Sequence, residues 1–292
     1  MLPDAPRILL TGAAGGIGRA VAHELAALGA RLVLLDRDAE ALTPVRQEVE
    51  SLGGRAQVLA ADLSDLHGLP AVALAAREAY DGLDVLINIA GLLSFRPFDD
   101  ETTEGLETLM RVNLLAPMLL TRELLPELRT NHGHVLNVGS IFGSIGFAYF
   151  ASYSASKFAV RGWSEALRRE LADSGVAVHY VAPRATRTAL ANSFGRMAEA
   201  VGMKLDEPEW VAARVVRALR KGHKDTYLGF PECLFVRINA LFPRFVDRAL
   251  RKQDAAARPF AEEASRAAAA PRAPAPTPAA PTRAPAVPAS VR

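Results

Sequence analysis

From residue 7 to about residue 230, short apolar runs alternate with longer segments whose apolar residues recur at helical spacing. The runs are nearly continuous in Val, Ile, Leu and Ala, as in parallel strands that are covered on both faces. Strands that alternate with helices form βαβ units. The sequence therefore predicts an α/β fold with a doubly wound parallel sheet of about seven strands and helices on both faces. The runs are RILLTG, RLVLLD, AQVLAAD, LDVLINIAG, HVLNVGS, VAVHYVAP and DTYLGF, and the helical segments include 17–28, 38–51, 102–128 and 153–173.

The chain is predicted to hold one folded domain, residues 1–253, followed by a tail of different composition. Its 292 residues suffice for a sizeable core. From about residue 264 Ala and Pro dominate, and such a segment has little apolar surface to bury. We therefore predict that residues 254–292 form a solvated, disordered tail, with an interaction tail as the alternative.

The overall composition excludes several classes of protein. A net charge of +2 gives no electrostatic reason to expect nucleic-acid binding. The single cysteine, Cys233, excludes an internal disulfide and suits a reducing compartment. The N-terminus lacks a signal-peptide pattern, no run of about 18 uncharged apolar residues occurs, and the six histidines are scattered. We expect a cytoplasmic protein without a metal site.

A glycine-rich loop, TGAAGGIG, joins the first predicted strand to the first predicted helix over residues 11–18. At such a turn, exposed backbone N–H groups and the helix dipole can bind the pyrophosphate of a dinucleotide. The loop is not a P-loop, because no G-K-[ST] ends it, and it does not match the strict G-x-G-x-x-G pattern. A tight turn without a ligand is the alternative, but four glycines in this context favour a dinucleotide site.

The segment YSASK places Tyr153 and Lys157 four positions apart at the start of a predicted helix. Neighbours at this spacing are common on solvated helix faces. However, only five of the 34 basic Lys and Arg residues are lysines, so the chain uses Arg almost wherever a simple positive charge is needed. A lysine at this position suggests an ammonium group whose pKa can be tuned, a property that a guanidinium lacks.

Together, T-G-x-x-x-G-x-G and Y-x-x-x-K make residues 7 to about 230 resemble the short-chain dehydrogenases/reductases. This resemblance implies a Rossmann-type single domain, a nicotinamide cofactor and a catalytic group of Tyr, Lys, Ser and Asn. The loop equally fits T-G-x-x-G-x-x-G, the pattern of a longer branch that modifies sugar nucleotides. That branch needs a large C-terminal substrate domain, and too few residues follow Lys157 to form one, so the short branch is favoured.

The resemblance assigns a catalytic quartet to Asn113, Ser140, Tyr153 and Lys157. Ser140 precedes Tyr153 by thirteen residues, the spacing that the family shows, and Asn113 stands in the segment MRVNLLAP. Tyr153 would exchange a proton with the substrate oxygen, and Ser140 would orient that oxygen. Lys157, together with the positive charge of the oxidised nicotinamide, is expected to lower the pKa of Tyr153 and to bind the nicotinamide ribose. Asn113 is expected to connect Lys157 to solvent through a water.

The coenzyme is expected to be NAD, with NADP as the alternative. Asp36 ends the second predicted strand, where a carboxylate accepts hydrogen bonds from the ribose hydroxyls and repels a 2′-phosphate. Arg37 follows it and could instead bind that phosphate, but Gly15 stands where NADP-preferring relatives often carry a basic residue. Asp62 matches the acid beside the adenine ring, although a helix N-cap would also explain it.

The last part of the cofactor site departs from the family pattern in two places. NIAG, residues 88–91, has Ile89 instead of the second asparagine, which predicts an altered network beneath the sheet edge. PRATRT, residues 183–188, has Arg184 instead of glycine, either as a cation near the active-site mouth or as a solvated side chain. The expected cofactor contacts are Thr11, Gly12, Gly15, Gly16, Ile17, Gly18, Asp36, Arg37, Asp62, Leu63, Asn88, Ala90, Gly91, Tyr153, Lys157, Pro183, Thr186 and Thr188.

The expected activity is the interconversion of a secondary alcohol and a ketone. The loop IFGSIGFAYFAS, residues 141–152, suggests a small hydrophobic substrate such as a steroid, a fatty-acyl or an aromatic compound, unless the loop is mostly core. Residues 189–203 would form a mobile lid over it. A homo-oligomer is expected. The alternatives are a non-catalytic NAD(P)-binding regulator and a membrane-associated scaffold that retains the fold.

Residues 231–253 form an amphipathic helical pattern with a wide apolar face and a basic face, and Pro243 allows a break in it. Such a helix could close the substrate pocket, contact another subunit or lie on an anionic membrane surface. Leu and Phe at helical spacing are more often core, so packing is favoured over membrane contact.

Overall fold

The computed structural model describes residues 2–269, which form one α/β domain built on a seven-stranded parallel sheet. The strand order is β3-β2-β1-β4-β5-β6-β7, and every neighbouring pair is parallel. The predicted doubly wound, Rossmann-type fold is therefore confirmed, with all seven apolar runs at the expected places. The strands are β1 (Arg7–Thr11), β2 (Arg31–Asp36), β3 (Arg55–Ala60), β4 (Val85–Asn88), β5 (His134–Val138), β6 (Ala177–Ala182) and β7 (Asp225–Tyr227).

Helices cover both faces of the sheet, as the nearly continuous apolar strands require. One apolar cluster packs α1, α2 and α8 against one face, and a second packs α3 and α5 against the other. The order of the strands reverses between β1 and β4, so their carboxyl ends open a crevice at this point. The helices are α1 (Gly16–Ala26), α2 (Ala39–Ser51), α3 (Leu69–Glu78), α4 (Thr103–Met110), α5 (Ala116–Thr130), α6 (Ala151–Glu170), α7 (Gly195–Ala200), α8 (Pro208–Lys221), α9 (Phe230–Leu241) and α10 (Pro243–Ala269).

Helices α4 and α5 are joined by one wide turn of π-helix, Arg111–Leu115. The predicted segment 102–128 is thus one helical stretch with a bulge in it. A π-bulge lets one backbone carbonyl escape the regular hydrogen-bond ladder, and such bulges are frequent at functional sites. Asn113 lies in the middle of this turn.

The C-terminal part of the domain differs from the sequence prediction. The pattern over 231–253 is two helices, α9 and α10, that meet at Phe242 and Pro243. Helix α10 then continues to Ala269, so residues 254–269 are helical and were wrongly assigned to the tail. The alanines of this segment have a high helix propensity, and two of them, Ala257 and Ala261, are buried against the domain. The rest of the predicted tail, 270–292, lies outside the described residues.

No helix within residues 2–269 is both long enough and apolar enough to cross a membrane.

Candidate active site

The loop between β1 and α1 forms a tight turn that only glycine permits at two of its positions. Gly12 has φ +69, and a Cβ there would lie 2.8 Å from the backbone of Ala90. A Cβ on Gly18 would overlap the carbonyl oxygen of Gly12, so β1 and α1 could not approach so closely. Helix α1 begins at Gly16 without a side-chain cap, and its first N–H groups therefore remain open to a ligand. A helix N-terminus of this kind can bind an anion.

A cavity of about 320 Å³ extends from this turn along the carboxyl ends of β1, β2 and β4. Asp36 lies at its far side, where its carboxylate accepts hydrogen bonds from the backbone N–H groups of Ala14 (3.1 Å) and Arg37 (2.8 Å). The two bonds fix the carboxylate beside the turn and leave further acceptor sites on both oxygens. Expected cofactor residues that line this cavity are Gly12, Gly15, Gly16, Ile17, Gly18, Asp36, Arg37, Asp62, Leu63, Ala90, Gly91 and Thr188.

Asp62 lies in a turn after β3 rather than at a helix N-cap. Its Oδ1 accepts a hydrogen bond from the Ser64 N–H at 2.8 Å, and helix α3 begins only at Leu69. The hydrogen bonds with Ser64 are the main reason that the pKa of Asp62 is lowered. The carboxylate therefore stays ionised in the lining of the cavity that also contains Asp36.

Two expected cofactor contacts, Thr11 and Asn88, line neither this cavity nor the one beside Tyr153 and are buried beneath the strand ends. The Thr11 hydroxyl accepts hydrogen bonds from the N–H groups of Ile89 (3.1 Å) and Ala90 (3.2 Å). It thereby ties the end of β1 to the loop after β4. The structure therefore gives Thr11 a supporting role beneath the crevice, and direct cofactor contact by Thr11 and Asn88 stays a prediction.

The buried polar network beneath the crevice runs through Asn88, whose Oδ1 has no hydrogen-bond partner among the described residues. The Asn88 amide donates to Asn137 Oδ1 at 2.8 Å, and the Asn137 amide donates to Ser164 Oγ at 2.9 Å. Ile89 instead points to the crevice, where it lines the two neighbouring cavities. Ile89 therefore forms part of the cavity wall, and the expected alteration of the network stays a prediction.

A second cavity, of about 110 Å³, adjoins the first and contains the Tyr–Lys pair. Ser140, Tyr153 and Lys157 line it together with Pro183 and Thr186, so the structure brings these predicted residues together. Tyr153 and Lys157 are 8% and 5% exposed, and the Lys157 ammonium lies 5.8 Å from the centre of the Tyr153 ring. Helix α6 presents both side chains on one face because they are four residues apart.

Burial moves the pKa values of Tyr153 and Lys157 in opposite directions. It raises the pKa of the Tyr153 phenol to about 12, against a smaller lowering by the hydrogen bond with Ser140. It lowers the pKa of the Lys157 ammonium to about 8. Tyr153, Lys157 and Ser140 alone therefore do not produce the expected lowering of the Tyr153 pKa, because desolvation outweighs the hydrogen bond with Ser140.

Asn113 supports this group from behind and lines neither cavity. Its amide donates to the Leu92 carbonyl (2.9 Å) and to Ser156 Oγ (3.0 Å), while its Oδ1 accepts from the Leu92 N–H (2.7 Å). Ser156 in turn donates to the Tyr153 carbonyl at 2.7 Å. The Asn113 side chain thus joins the loop after β4 to helix α6. Only the backbone of the π-helical turn remains for the expected water between Lys157 and solvent.

Arg184 lines the second cavity, as predicted for a cation near the active-site mouth, but its charge is paired with two carboxylates and is not solvated. Its guanidinium forms two hydrogen bonds with the carboxylate of Asp206, at 2.7 and 2.6 Å, and a third with Glu232 at 2.9 Å. These contacts raise its pKa and connect the loop after β6 with the residue before α8 and with α9. The backbone reinforces the first contact, because Asp206 pairs with Thr186 as an isolated bridge.

Aromatic rings surround the Tyr153 side of the second cavity. Phe142 lies edge-on to Tyr153, with ring centres 5.6 Å apart, and also contacts Phe150 at 4.9 Å. Phe194, from the predicted lid, packs on Phe150 at 5.7 Å. Ala257 and Ala261 of α10 belong to the same cluster, so the C-terminal helix builds part of this apolar wall.

The residues at this crevice fit a nicotinamide dinucleotide on structural grounds. The open N-terminus of α1 suits the pyrophosphate, and the Asp36 carboxylate suits ribose hydroxyls. Lys157 donates one hydrogen bond among the described residues, to the Val138 carbonyl at 3.2 Å, so two donors of a buried ammonium remain for a ligand. A Cβ at Gly91 would lie 3.6 Å from that ammonium, so the glycine keeps access to it open.

Several cavity residues carry no sequence signal that distinguishes them from core. Ile89 and Val112 line the first cavity, and Leu93 lines the second. The only clue to Ile89 is its position directly after a strand that ends at the crevice. The others come from a helix or from loops whose path the sequence does not fix.

A dinucleotide crevice that ends on a buried tyrosine and lysine defines an oxidoreductase that uses NAD(P). Comparison with known proteins supports this and identifies the family. The family model for short chain dehydrogenases matches residues 6–199, and the chain belongs to the short-chain dehydrogenase/reductase family. Among the described residues, no group of three or more His, Cys, Asp or Glu side chains could hold a metal ion.

Curated and solved relatives agree with this assignment. The chain is 32% identical to the ketoacyl reductase HetN of Nostoc sp. over 73% of its own length and 75% of the relative's. A short-chain dehydrogenase structure from Streptomyces avermitilis superposes with a TM-score of 0.73, at 30% identity, covering 86% of this chain and 97% of that one. A metagenomic short-chain oxidoreductase in complex with NADP is similar, with a TM-score of 0.67, 32% identity, and coverage of 78% and 97%.

Proposed function

We propose that this enzyme interconverts a secondary alcohol and a ketone on a hydrophobic substrate and prefers NAD to NADP. The observation that carries the proposal is the position of the Tyr153 phenol. It lies in one small cavity with Ser140 and Lys157, directly beside the dinucleotide crevice and against the ring of Phe142.

Tyr153 is the proposed general acid and base. When bound, the nicotinamide ring supplies or accepts the hydride. In alcohol oxidation the Tyr153 phenolate takes the hydroxyl proton, and in ketone reduction the phenol returns it to the carbonyl oxygen. The Ser140 hydroxyl hydrogen-bonds that oxygen and holds it within reach of Tyr153.

Lys157 and Asn113 are proposed to support this proton transfer. The Lys157 ammonium stabilises a phenolate on Tyr153, and its two remaining donors would hold ribose hydroxyls. Asn113 fixes the turn of α6 that carries Tyr153 through Ser156. Its bulged backbone carbonyl would hold the water that returns protons to Lys157 from solvent. The remaining expected contacts, Pro183, Thr186 and Thr188, would face the nicotinamide carboxamide, Thr186 through its backbone.

The preference for NAD is inferred from Asp36. Its carboxylate is fixed at the end of β2 by two backbone N–H groups, where the adenosine ribose would lie. A 2′-phosphate there would meet this negative charge, and Arg37 would have to compensate for it. A neighbouring structure holds NADP, so the family accommodates either coenzyme, and the residue at position 36 is the reason to expect NAD here.

The hydrophobic substrate is inferred from the aromatic wall around Tyr153. Phe142 and Phe194 line the second cavity together with Leu93 and Ala191, and Phe150 packs behind them. A steroid, fatty-acyl or aromatic ketone would bury apolar surface there. The ketoacyl reductase activity that names one relative is consistent with this class.

Three further expectations remain proposals. A homo-oligomer is supported by Leu115, Met118 and Phe158, which are exposed near the α5 N-terminus and on α6, and size-exclusion chromatography with light scattering would measure it. The enzyme is expected in the cytoplasm, and the small molecule substrate is its expected partner rather than nucleic acid.

A screen of both reaction directions tests the proposed function. Purified protein would be assayed with NAD(H) and NADP(H) against steroid, β-ketoacyl and aromatic ketones and the matching alcohols. We expect turnover with NAD(H) on at least one hydrophobic class and slower turnover on small polar ketones. Turnover of small polar carbonyls alone, or no turnover despite measured coenzyme binding, would contradict the proposal.

A further inference from the structure

The corner between α9 and α10 exposes large apolar side chains that the rest of the domain does not cover. Leu234, Leu241, Phe242 and Phe245 are 50, 72, 63 and 64% exposed. Other apolar residues of the same two helices, Val236, Val246 and Leu250, are buried against Ile141 and Tyr180. The helices are therefore anchored by one side and leave a second apolar surface open.

Most of this exposed apolar surface lies at the turn between α9 and α10. Helix α9 ends at Leu241, Phe242 leaves the helical conformation, and Pro243 begins α10. Three of the exposed side chains thus lie within five residues of the turn. On α9, Leu234 and Leu241 are two turns apart and share a face, which extends the apolar surface along that helix.

Basic side chains surround the tip. Arg237, Arg244, Arg248, Arg251 and Lys252 are exposed, and none forms a salt bridge with another residue in the range 2–269. Asp247 is the only acidic residue between 233 and 253. On α10, Arg244, Arg248 and Arg251 recur at spacings of four and three, so they form one stripe away from the buried Val246 and Leu250.

We propose that this α9–α10 tip, Leu234 to Lys252, docks on the surface of an anionic lipid bilayer. Leu and Phe side chains enter the boundary between headgroups and acyl chains, while arginines around them contact the lipid phosphates. Their long stems let the charges reach the headgroups while the apolar tip inserts. The charge of the patch is thus complementary to an anionic membrane.

The same charges disfavour a second copy of this chain as the occupant. In a two-fold symmetric contact the patch faces itself, so five cations would meet five cations. The apolar tip alone would suit either occupant, and the unpaired basic stripe decides between them. The proposal does not depend on the oxidoreductase activity.

Vesicle flotation of the full-length protein tests the proposal. Vesicles would contain either phosphatidylcholine alone or phosphatidylcholine with phosphatidylglycerol, at low and at high salt. We expect binding to the anionic vesicles at low salt, weaker binding at high salt and none to phosphatidylcholine alone. Full-length protein that stays unbound to anionic vesicles at low salt would overturn the proposal.

Two sets of substitutions locate the docking surface. Replacement of Arg244, Arg248 and Arg251 by Gln, or of Leu241, Phe242 and Phe245 by Ser, should weaken binding to anionic vesicles by at least about tenfold. The matched controls are Arg217→Gln with Arg220→Gln, and Leu52→Ser with Leu74→Ser, which alter exposed residues elsewhere and should leave binding unchanged. Thermal melts and dinucleotide binding would establish that each variant is folded.

Two outcomes would assign the surface differently. Binding that survives the α9–α10 substitutions but is lost when Arg272, Arg283 and Arg292 are replaced by Gln would place the lipid contact in the C-terminal segment. A concentration-dependent dimer that the Ser substitutions dissociate, without vesicle binding, would make the tip a subunit interface. Either result overturns the proposal.

Discussion

At the scale of single residues, the chemistry depends on how burial shifts proton affinities. Tyr153 and Lys157 lie together in one cavity and are almost fully buried, and burial disfavours both of their charged forms. Chemistry at neutral pH therefore requires a bound charge or a set of hydrogen bonds that restores the ionised forms. A dinucleotide bound at the neighbouring site would supply that charge and those hydrogen bonds.

Tyr153→Phe should abolish turnover and leave coenzyme binding intact, because only the phenolic hydroxyl is lost. We expect turnover to fall by a factor of at least about 10², and NADH affinity, measured by fluorescence titration, to change little. Lys157→Ala should reduce both, since it removes a ribose contact as well. A Tyr153→Phe enzyme with a substantial fraction of wild-type turnover would show that another group transfers the proton.

The pH dependence of the two directions should differ in sign. Alcohol oxidation needs the phenolate, and the pKa of Tyr153 is raised to about 12, so kcat/KM for oxidation should rise towards alkaline pH. Ketone reduction needs the protonated phenol, which is the dominant form at neutral pH, so its profile should lack this rise. An oxidation profile that is already flat from about pH 6 upward would contradict the assignment.

Asp36→Ala should erode the coenzyme preference of the enzyme. We expect the wild type to bind NADH at least about tenfold more tightly than NADPH, a difference of about 1.4 kcal/mol. The substitution should lower this ratio by weakening NADH and relieving the repulsion of the 2′-phosphate. Arg37→Ala is the matched comparison and should raise this ratio, because it removes the cation that would compensate for a 2′-phosphate. Tighter binding of NADPH than NADH by the wild type would instead assign the dominant role to Arg37.

At the scale of elements, Arg184 connects three segments that are distant in the sequence. Its contacts with Asp206 and Glu232 hold the loop after β6, the segment before α8 and helix α9 together. Asp206 is nearly buried, so loss of its partner leaves an uncompensated carboxylate.

Arg184→Gly, which introduces the glycine of the family pattern, should therefore destabilise the protein. We expect the free energy of unfolding to fall by about 3 kcal/mol, measured by denaturant titration. Arg187→Gly is the control, because its salt bridge with Glu207 is exposed and should contribute less than about 1 kcal/mol. The double variant Arg184→Gly, Asp206→Asn should recover part of the loss. Strictly additive losses would mean that the two side chains do not interact.

Helix α10 is predicted to be part of the substrate wall rather than an appendage. Ala261 is fully buried in the cluster that contains Phe194 and Tyr153, so Ala261→Leu should overpack it and lower the free energy of unfolding by about 1–3 kcal/mol. It should also raise KM for a hydrophobic substrate. Ala256→Leu, on the exposed side of the same helix, should change neither quantity. If the two variants have the same stability in melts and the same KM, α10 is not part of the substrate wall.

At the scale of the whole molecule, a buried histidine pair makes stability depend on pH. His179 Nδ1–H donates to the His223 carbonyl at 2.7 Å, so its Nε2 accepts from His134 Nδ1–H at 3.0 Å. Both rings are buried on β5 and β6. Burial and then the neighbouring His179 lower the pKa of His134 to about 4.

The direction of the pH dependence of stability follows from the lowered pKa of His134. Between pH 6.5 and about 4 the unfolded chain binds a proton that the folded chain excludes, so stability falls as the pH falls through this window. For His134 the loss amounts to about 3 kcal/mol. Denaturant titrations of His134→Gln at pH 7 and at about pH 4.5 should show a smaller difference than the wild type, while the exposed His67→Gln should match the wild type. An unchanged difference in His134→Gln would assign the acid sensitivity to other groups.

Local patterns in the sequence were enough to predict the sheet, the glycine turn and the pairing of Tyr153 with Lys157, while the resemblance to the family added Ser140. Strand–helix alternation, tight glycine turns and i,i+4 spacing are properties of short segments, and these segments occupy the predicted places. The register of parallel strands then brings their carboxyl ends to one crevice, so motifs distant in the sequence become neighbours.

Only the tertiary structure decided which side chains reach that crevice and what the C-terminal segment does. Thr11 and Asn88 lie beneath the site because side chains alternate across a strand, while Ile89 reaches it. Arg184 is paired with Asp206 and Glu232, which lie 22 and 48 positions away in the sequence. The alanines of α10 carry no packing signal of their own, yet the aromatic cluster around Tyr153 gives them a surface to bury against. Contacts between distant segments determine each of these outcomes, and no local sequence pattern predicts such contacts.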